Sequence, residues 1–137
     1  MKSTCAALIV GLFLLAGCSM SKDTKVAEEA VPRFHALMNA GAFDAIYEAA
    51  ADELKQATSE KDFTDLLAAV KRKLGSMQRT SQDNWGINYH TSGTFVTLVY
   101  KTSYKNGDAT EQLVYRIKDG SARLAGYHIN SNALLPD

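Results

Sequence analysis

The sequence predicts an α+β domain in which three N-terminal helices pack on one face of a curved antiparallel sheet of about four strands. Apolar residues recur at helical spacing between Thr24 and Gly75, and they alternate with polar residues after Gly75. Two tight-turn pairs, Asn106-Gly107 and Asp119-Gly120, divide the second half of the chain. Helices that precede the strands are typical of a fold whose helices lie on one side of the sheet.

Length and charge are those of one globular domain. The chain has 137 residues, with 15 Lys and Arg against 15 Asp and Glu. A strongly basic nucleic-acid-binding protein is therefore excluded, and we expect no nucleic-acid partner. The apolar stretch from Ala6 to Leu15 is too short to span a bilayer.

The N-terminus has the pattern of a secretory signal. Met1-Lys2 gives a positive start, the apolar stretch follows, and Leu15-Ala16-Gly17-Cys18 ends it. This ending resembles the lipobox of bacterial lipoproteins. The resemblance implies cleavage after Gly17 and lipidation of Cys18, so that residues 1–17 are a signal peptide and residues 18–23 a lipidated cysteine with a short tether. A plain secreted protein with an incidental cysteine is the alternative.

The same resemblance predicts the location. Acyl chains on Cys18 would bind a lipid bilayer, and Ser19 after the cysteine favours the outer membrane, with the domain facing the periplasm.

Cysteine and histidine usage excludes some site classes. The only cysteines are Cys5 and Cys18, so a processed chain has no disulfide and no free thiolate ligand. The three histidines, His35, His90 and His128, share no metal-ligand spacing. We therefore expect no metal and no cofactor, and we expect His35 to lie on a helix surface.

Residues 24–132 are predicted to form one domain, and residues 133–137 a tail. The first helix covers Thr24 to Ala40, although Pro32 predicts a kink or a start near it. The second covers Phe43 to Leu54. The third begins after the N-cap Ser59 and ends at Gly75. The predicted strands are Met77–Tyr89, Gly93–Lys105, Ala109–Lys118 and Ser121–Asn130.

The first tight turn predicts which strand residues face the core. A two-residue loop at Asn106-Gly107 pairs Lys105 with Asp108, and opposed residues share a face. The predicted core face carries Val96, Leu98, Tyr100, Leu113, Tyr115 and Ile117. The opposite face is largely polar but includes Phe95, Val99 and Val114, which could dock another protein. Trp85 and Tyr89 are expected to pack in the core or at the sheet edge, and a surface for a partner protein is the alternative.

Polar residues on the core face form the candidate binding site. The same register places Thr102 opposite Glu111 and Glu111 opposite His128, beside Tyr100 and Tyr104. A carboxylate beside an imidazole is the minimal equipment for acid–base chemistry. The alternative is an exposed cross-strand pair with no function.

The register of the last strand has a second solution. The first one places Arg116 opposite Arg123, which is unfavourable. A one-residue bulge would remove this contact and place Tyr127, instead of His128, beside Glu111.

Several segments resemble a known family. Phe63 to Gly75, Phe95 to Tyr100, Asn106-Gly107, Glu111 and Leu124 to Ile129 are similar to the uncharacterised bacterial family called domain of unknown function 4019. This family resemblance implies a nuclear transport factor 2-like (cystatin-like) cone, which often holds a pocket, and it implies no particular reaction. Ala122 stands where the family often carries Trp.

These observations predict a membrane-anchored, non-catalytic binding or accessory module of the cell envelope. Its expected partner, besides the bilayer, is an envelope protein or a small apolar ligand. The alternative is an enzyme of isomerase or hydrolase type that uses Glu111 with His128 or Tyr127 in a cone pocket. A third interpretation is a structural protein that oligomerises through its sheet.

Overall fold

Four helices precede a four-stranded sheet in the computed structural model, which describes the backbone of residues 18–136 and the side chains of residues 22–136. The predicted signal peptide, residues 1–17, lies outside the described residues. The helices are α1 (Cys18–Ala40), α2 (Phe43–Glu48), α3 (Asp52–Ala57) and α4 (Glu60–Leu74). The strands are β1 (Met77–His90), β2 (Gly93–Tyr104), β3 (Gly107–Lys118) and β4 (Ser121–Asn130), followed by a 3-10 helix, Asn132–Leu134.

The sheet is a curved antiparallel meander in the order β1-β2-β3-β4, and the helices supply the other half of its core. The predicted α+β fold class is confirmed. All six strand residues predicted to face the core are buried. We call this buried side of the sheet the inner face.

Helix α1 is longer than expected. It begins at Cys18, so that residues 19–23, expected to form a tether, are helical. It continues through Pro32, which is exposed. Its buried side carries Ala27, Val31, Phe34, His35 and Met38.

The predicted second helix is two helices, because the chain leaves helical geometry between Glu48 and Asp52. The N–H of Ala51 donates a hydrogen bond of 2.9 Å to the carbonyl of Leu124 in β4. This bond fixes the start of α3 beside the edge of β4, and both Ala50 and Ala51 are buried there.

Helix α4 has the predicted ends. The Ser59 hydroxyl accepts a hydrogen bond from the Asp62 N–H at 3.1 Å. Gly75 ends the helix with a φ of +77°, and its N–H bonds to the Lys71 carbonyl. The side chain of Lys71 also reaches the Asn39 carbonyl at 2.6 Å, which ties the C-terminal ends of α4 and α1 together.

The β2–β3 register differs from the predicted one by two residues. Tyr104 pairs with Gly107, so the two loop residues are Lys105 and Asn106. Because the side-chain period of a strand is two, a shift of two leaves every residue on its predicted face. It does change cross-strand partners: Glu111 lies opposite Tyr100, and Thr102 lies opposite Ala109.

The β3–β4 hairpin follows the predicted turn and then departs from it. Asp119 and Gly120 have φ values of +52° and +71°, and Lys118 pairs with Ser121. Arg116 does lie opposite Arg123. The guanidinium of Arg116 donates hydrogen bonds of 2.7 Å to a Glu53 carboxylate oxygen and to the Ser92 carbonyl. These bonds offset the repulsion between the two arginines.

A one-residue bulge lies beyond that pair, at Ala125. Val114 therefore pairs with Gly126, and Glu111 pairs with Ile129. The bulge follows the two arginines in β4, so it does not remove their contact, and it places Tyr127 opposite Leu113 instead of Glu111. The second predicted register was therefore wrong on both points.

Strand β1 is an edge strand with register shifts between Met77 and Arg79 and between Gln82 and Asn84. Trp85 and Tyr89 lie on it, but 51% and 57% of their surfaces are exposed. The segment expected to be a tail contributes to the 3-10 helix, and Lys73 donates hydrogen bonds to the Leu134 and Leu135 carbonyls.

Candidate functional site

The centre of the candidate site is the carboxylate of Glu111, which is 0% exposed on the inner face of β3. The alternating pattern of this strand turns Glu111 to the same side as Leu113 and Tyr115. Removing a carboxylate from water costs several kcal/mol unless partners replace the lost hydration. The structure supplies two such partners.

The first partner is His35 of α1. Its Nε2 atom lies 2.7 Å from Oε2 of Glu111, and only 1% of the residue is exposed. The ring of Phe34 contacts the imidazole edge-on, with the centroids 5.6 Å apart. The expectation that His35 lies on a helix surface was therefore wrong.

His35 is buried because of its spacing. Ala27, Val31, His35 and Met38 fall on one side of α1 at intervals of four, four and three residues. This helical stripe is the sequence signal that identifies His35 as a buried residue, whereas alternation within the strands carries no information about it.

The second partner is Tyr104, whose hydroxyl donates a hydrogen bond to Oε1 of Glu111. Each carboxylate oxygen thus has one partner, and the three residues come from α1, β2 and β3. We call His35, Tyr104 and Glu111 the carboxylate cluster. A buried polar network of this kind fixes the helix against the sheet in one arrangement.

Other tyrosines surround the carboxylate cluster. The hydroxyls of Tyr115 and Tyr127 are buried without a hydrogen-bond partner in the described residues. Burial first, and then the negative charge of Glu111, raises the pKa of Tyr127 well above its usual range. Burial also raises the pKa of Tyr115, with smaller contributions from Tyr100 and Glu111. Both phenols are therefore neutral at physiological pH.

Tyr100 completes the surroundings from β2. Burial raises its pKa, and the carboxylate of Glu28 in α1 adds to the shift. The structure thus brings Tyr100 and Tyr104 to Glu111, as the sequence predicted.

Two predicted members of the site lie elsewhere. The Thr102 hydroxyl is buried, but it bonds to the Thr80 hydroxyl at 2.8 Å. His128 is exposed on the other face, opposite Gln112, so the predicted pairing of His128 with Glu111 was wrong. The bulge in β4 is the reason, because it places Tyr127 on the inner face and turns His128 outward.

Four cavities in the described part of the chain have volumes between about 290 and 500 Å³, and none of them is lined by His35, Tyr104 or Glu111. The carboxylate cluster has acid–base groups at bonding distance, but these four cavities bring no substrate to it. Its evident role is to hold α1 on the sheet.

One of these cavities, of about 290 Å³, lies between α1, α2 and the β3–β4 hairpin. Phe34, Leu37, Ile46 and Leu124 give it apolar walls, and three charged residues, Arg33, Arg123 and Glu48, also line it. We call it the α1–α2 cavity. A cavity with apolar walls and an excess of positive charge suits a small molecule with an apolar body and an acidic group.

Two further features bear on the class of protein. Within residues 18–136, no group of three or more His, Cys, Asp or Glu side chains is arranged to hold a metal ion. None of the helices described has the length and apolar character that crossing a membrane requires.

Comparison with models of protein families gives a match. The model of a protein family described as "Protein of unknown function (DUF4019)" matches residues 30–127, a range that includes the whole carboxylate cluster. No curated protein matches the chain.

Proposed function

The chain belongs to the DUF4019 family of proteins of unknown function, and within that family we propose that it is a lipid-anchored, non-catalytic binding module of the bacterial cell envelope. The observation that carries the non-catalytic part is the enclosure of Glu111 within the protein. Both of its oxygens are bonded, and the residue is fully buried. A general base must reach the proton that it removes from a substrate, and this carboxylate faces only protein.

The anchor is supported by Leu15-Ala16-Gly17-Cys18 after an apolar stretch. Each buried CH₂ of an acyl chain contributes about 0.8 kcal/mol to membrane binding, so several chains on Cys18 hold a protein on a bilayer. The periplasmic face of an outer membrane is the location that Ser19 favours.

The binding role is supported by the α1–α2 cavity. Its apolar walls, and the excess of positive charge from Arg33 and Arg123 over the one carboxylate of Glu48, favour a small amphipathic acid as the ligand. The sequence also suggested an envelope protein as a partner. It would dock on Phe95, Val99 and Val114, which are half-buried on the face of the sheet opposite the inner face.

The second candidate function is an isomerase or hydrolase. The observation in its favour is the 2.7 Å contact between His35 and Glu111, in which His35 takes the place proposed for His128, with Tyr127 nearby. This function requires a path for substrate to Glu111, which none of the four cavities provides.

The test of the anchor uses the full chain, expressed in a bacterium that processes lipoproteins. We expect the N-terminal peptide of the purified protein to begin at an acylated Cys18 by mass spectrometry, and Cys18→Ser to move the protein out of the membrane fraction. An unmodified Cys18, or a membrane-bound Cys18→Ser variant, would contradict the proposal.

To test for a bound ligand, small molecules are extracted from the natively purified protein. Ala122 lines the α1–α2 cavity, and Ala122→Phe would fill part of it. We expect a small acidic lipid-like molecule in extracts of the wild type that is depleted in the Ala122→Phe extract. Gln112→Phe, a change on the opposite face of the sheet and outside the four cavities, is the control and keeps the molecule. Equal extracts from all three proteins would count against a ligand in this cavity.

A further inference from the structure

Two large aromatic side chains are exposed on one segment of β1. Trp85 pairs with Leu98 and Tyr89 pairs with Thr94, so both point to the inner side of the sheet. Ile87 lies between them on the same side and is half-buried. We call Trp85, Ile87 and Tyr89 the aromatic segment. It carries two of the four large apolar side chains that are exposed in the described residues.

The direction of α1 shows which end of the molecule carries this segment. At its C-terminal end, Asn39 accepts a hydrogen bond from the Met77 N–H at 2.9 Å, at the first residue of β1. Four residues earlier in α1, His35 contacts Glu111. Glu111 and Gln82 both pair with Tyr100, so they lie at the same height along the sheet. Helix α1 therefore runs opposite to β1.

The N-terminal half of α1 continues in the same direction. Ala30 and Arg33 line a cavity with Ser121 and Arg123, at the start of β4. The β3–β4 turn and the β1–β2 turn lie at the same end of the meander, because its strands alternate in direction. The start of α1 and the end of β1 thus share one end of the molecule.

The lengths agree with this arrangement. His35 contacts Glu111, which is level with Gln82, and Cys18 lies 17 helical residues before His35, a rise of about 26 Å. Trp85 and Tyr89 lie three and seven residues beyond Gln82, about 10 and 23 Å along the strand. Cys18 therefore lies close to the level of Tyr89, at the end of the molecule that carries the aromatic segment.

We propose that the aromatic segment of β1 contacts the phospholipid surface to which Cys18 is attached, with Trp85 and Tyr89 at the level of the headgroups. This inference rests on the proposed lipid anchor. Trp and Tyr favour the membrane–water interface because their rings are apolar and their N–H and O–H groups still reach water or headgroups. An anchor at the same end brings these side chains to that interface, and this explains their exposure.

The experiment uses the single tryptophan of the chain, Trp85. The full-length protein, purified from bacterial membranes, is reconstituted into vesicles of phosphatidylethanolamine and phosphatidylglycerol, with and without phospholipid brominated on its acyl chains. We expect the brominated lipid to reduce Trp85 fluorescence about two-fold, because bromine quenches only an indole that lies in or next to the bilayer.

A matched control moves the indole to the other end of the molecule. Leu135 is 64% exposed, and its carbonyl accepts a hydrogen bond from Lys73 in the last turn of α4. In the double variant Trp85→Phe/Leu135→Trp, the indole should be insensitive to the brominated lipid. Equal quenching of the two proteins would overturn the proposal.

Three further outcomes are decisive. A Trp85 that is shielded from aqueous acrylamide but not quenched by brominated lipid would overturn the proposal in favour of a protein contact or self-association. The mass of the N-terminal peptide is measured first. An unacylated Cys18 would overturn the anchor and this inference with it, whereas an acylated protein with an unquenched Trp85 would overturn the inference alone.

Discussion

His35 and Glu111, 76 residues apart in the sequence, meet at 2.7 Å inside the protein and join the first helix to the third strand. Both residues are buried, so water does not compete for the bond. The stability of the packing between α1 and the sheet therefore depends on this pair more than on any exposed ion pair.

Removal of one member of the pair should be costly. His35→Leu leaves the buried carboxyl group of Glu111 with Tyr104 alone, and we expect the free energy of unfolding to fall by about 3–5 kcal/mol. The double variant His35→Leu/Glu111→Leu replaces both polar groups and should lose less than His35→Leu. Urea denaturation followed by circular dichroism measures each value.

The exposed pair Lys61–Asp65 is the control for this experiment, since its atoms are 2.5 Å apart on the surface of α4. Asp65→Ala should leave the stability unchanged within error. A double variant that is less stable than His35→Leu would contradict the argument that the unpaired carboxyl group causes the loss.

The buried tyrosines should respond differently to loss of their hydroxyls. Tyr104→Phe removes a hydrogen bond to Glu111 and should cost about 1.5–3 kcal/mol of unfolding free energy. Tyr115→Phe and Tyr127→Phe remove buried hydroxyls that have no partner in the described residues, so these variants should be as stable as the wild type or slightly more stable. Thermal and urea denaturation of the three variants would decide, and equal losses in all three would disprove the distinction.

Alkaline pH should destabilise the protein through Tyr115 and Tyr127. Their pKa values in the folded protein are raised above about 10, the value of an unfolded chain, because the folded protein buries them. Below pH ~10 their contribution to stability is complete. Above it the unfolded chain loses protons that the folded protein retains, so stability falls by up to about 1.4 kcal/mol per pH unit for each tyrosine.

Urea denaturation at a series of pH values between about 8 and 11 measures this fall. Tyr127→Phe removes one of the two groups and should make the dependence on pH less steep. A free energy of unfolding that is constant across this range would contradict the assignment.

Glycine is required at the end of α4. Gly75 has a φ of +77°, and an added Cβ would lie 3.0 Å from the Cβ of Lys105. We expect Gly75→Ala to cost about 1–2 kcal/mol from backbone strain, with the close contact adding to it. Gly86 in β1 has open space around it, so Gly86→Ala should be neutral or mildly stabilising. A Gly75→Ala protein as stable as Gly86→Ala in thermal denaturation would refute this.

The sequence was sufficient for the fold class and for the faces of the central strands. Alternation in β2 and β3 has a period of two, so an error of two residues in the hairpin register did not move Tyr100 or Leu113 to the other face. The exact cross-strand partners were not predictable, because they depend on whether the loop is residues 105–106 or 106–107.

The candidate site was predicted in part. Glu111, Tyr100 and Tyr104 lie together, as the strand pattern indicated. A one-residue bulge in β4 was one of two register solutions, and alternation alone does not choose between them, so the outward position of His128 could not be read from the strand pattern. His35 comes from a helix far away in the sequence, and only tertiary packing brings it to Glu111.

The two register shifts in β1 also affect whether copies of this protein can associate through the edges of their sheets. This strand is 14 residues long and forms an open margin of the sheet, where free N–H and C=O groups could pair with another chain. The shifts next to Gln78 and Asp83 interrupt the row of free groups. A neighbouring molecule therefore finds only shorter regular stretches to extend, which disfavours pairing between the edge strands of two copies.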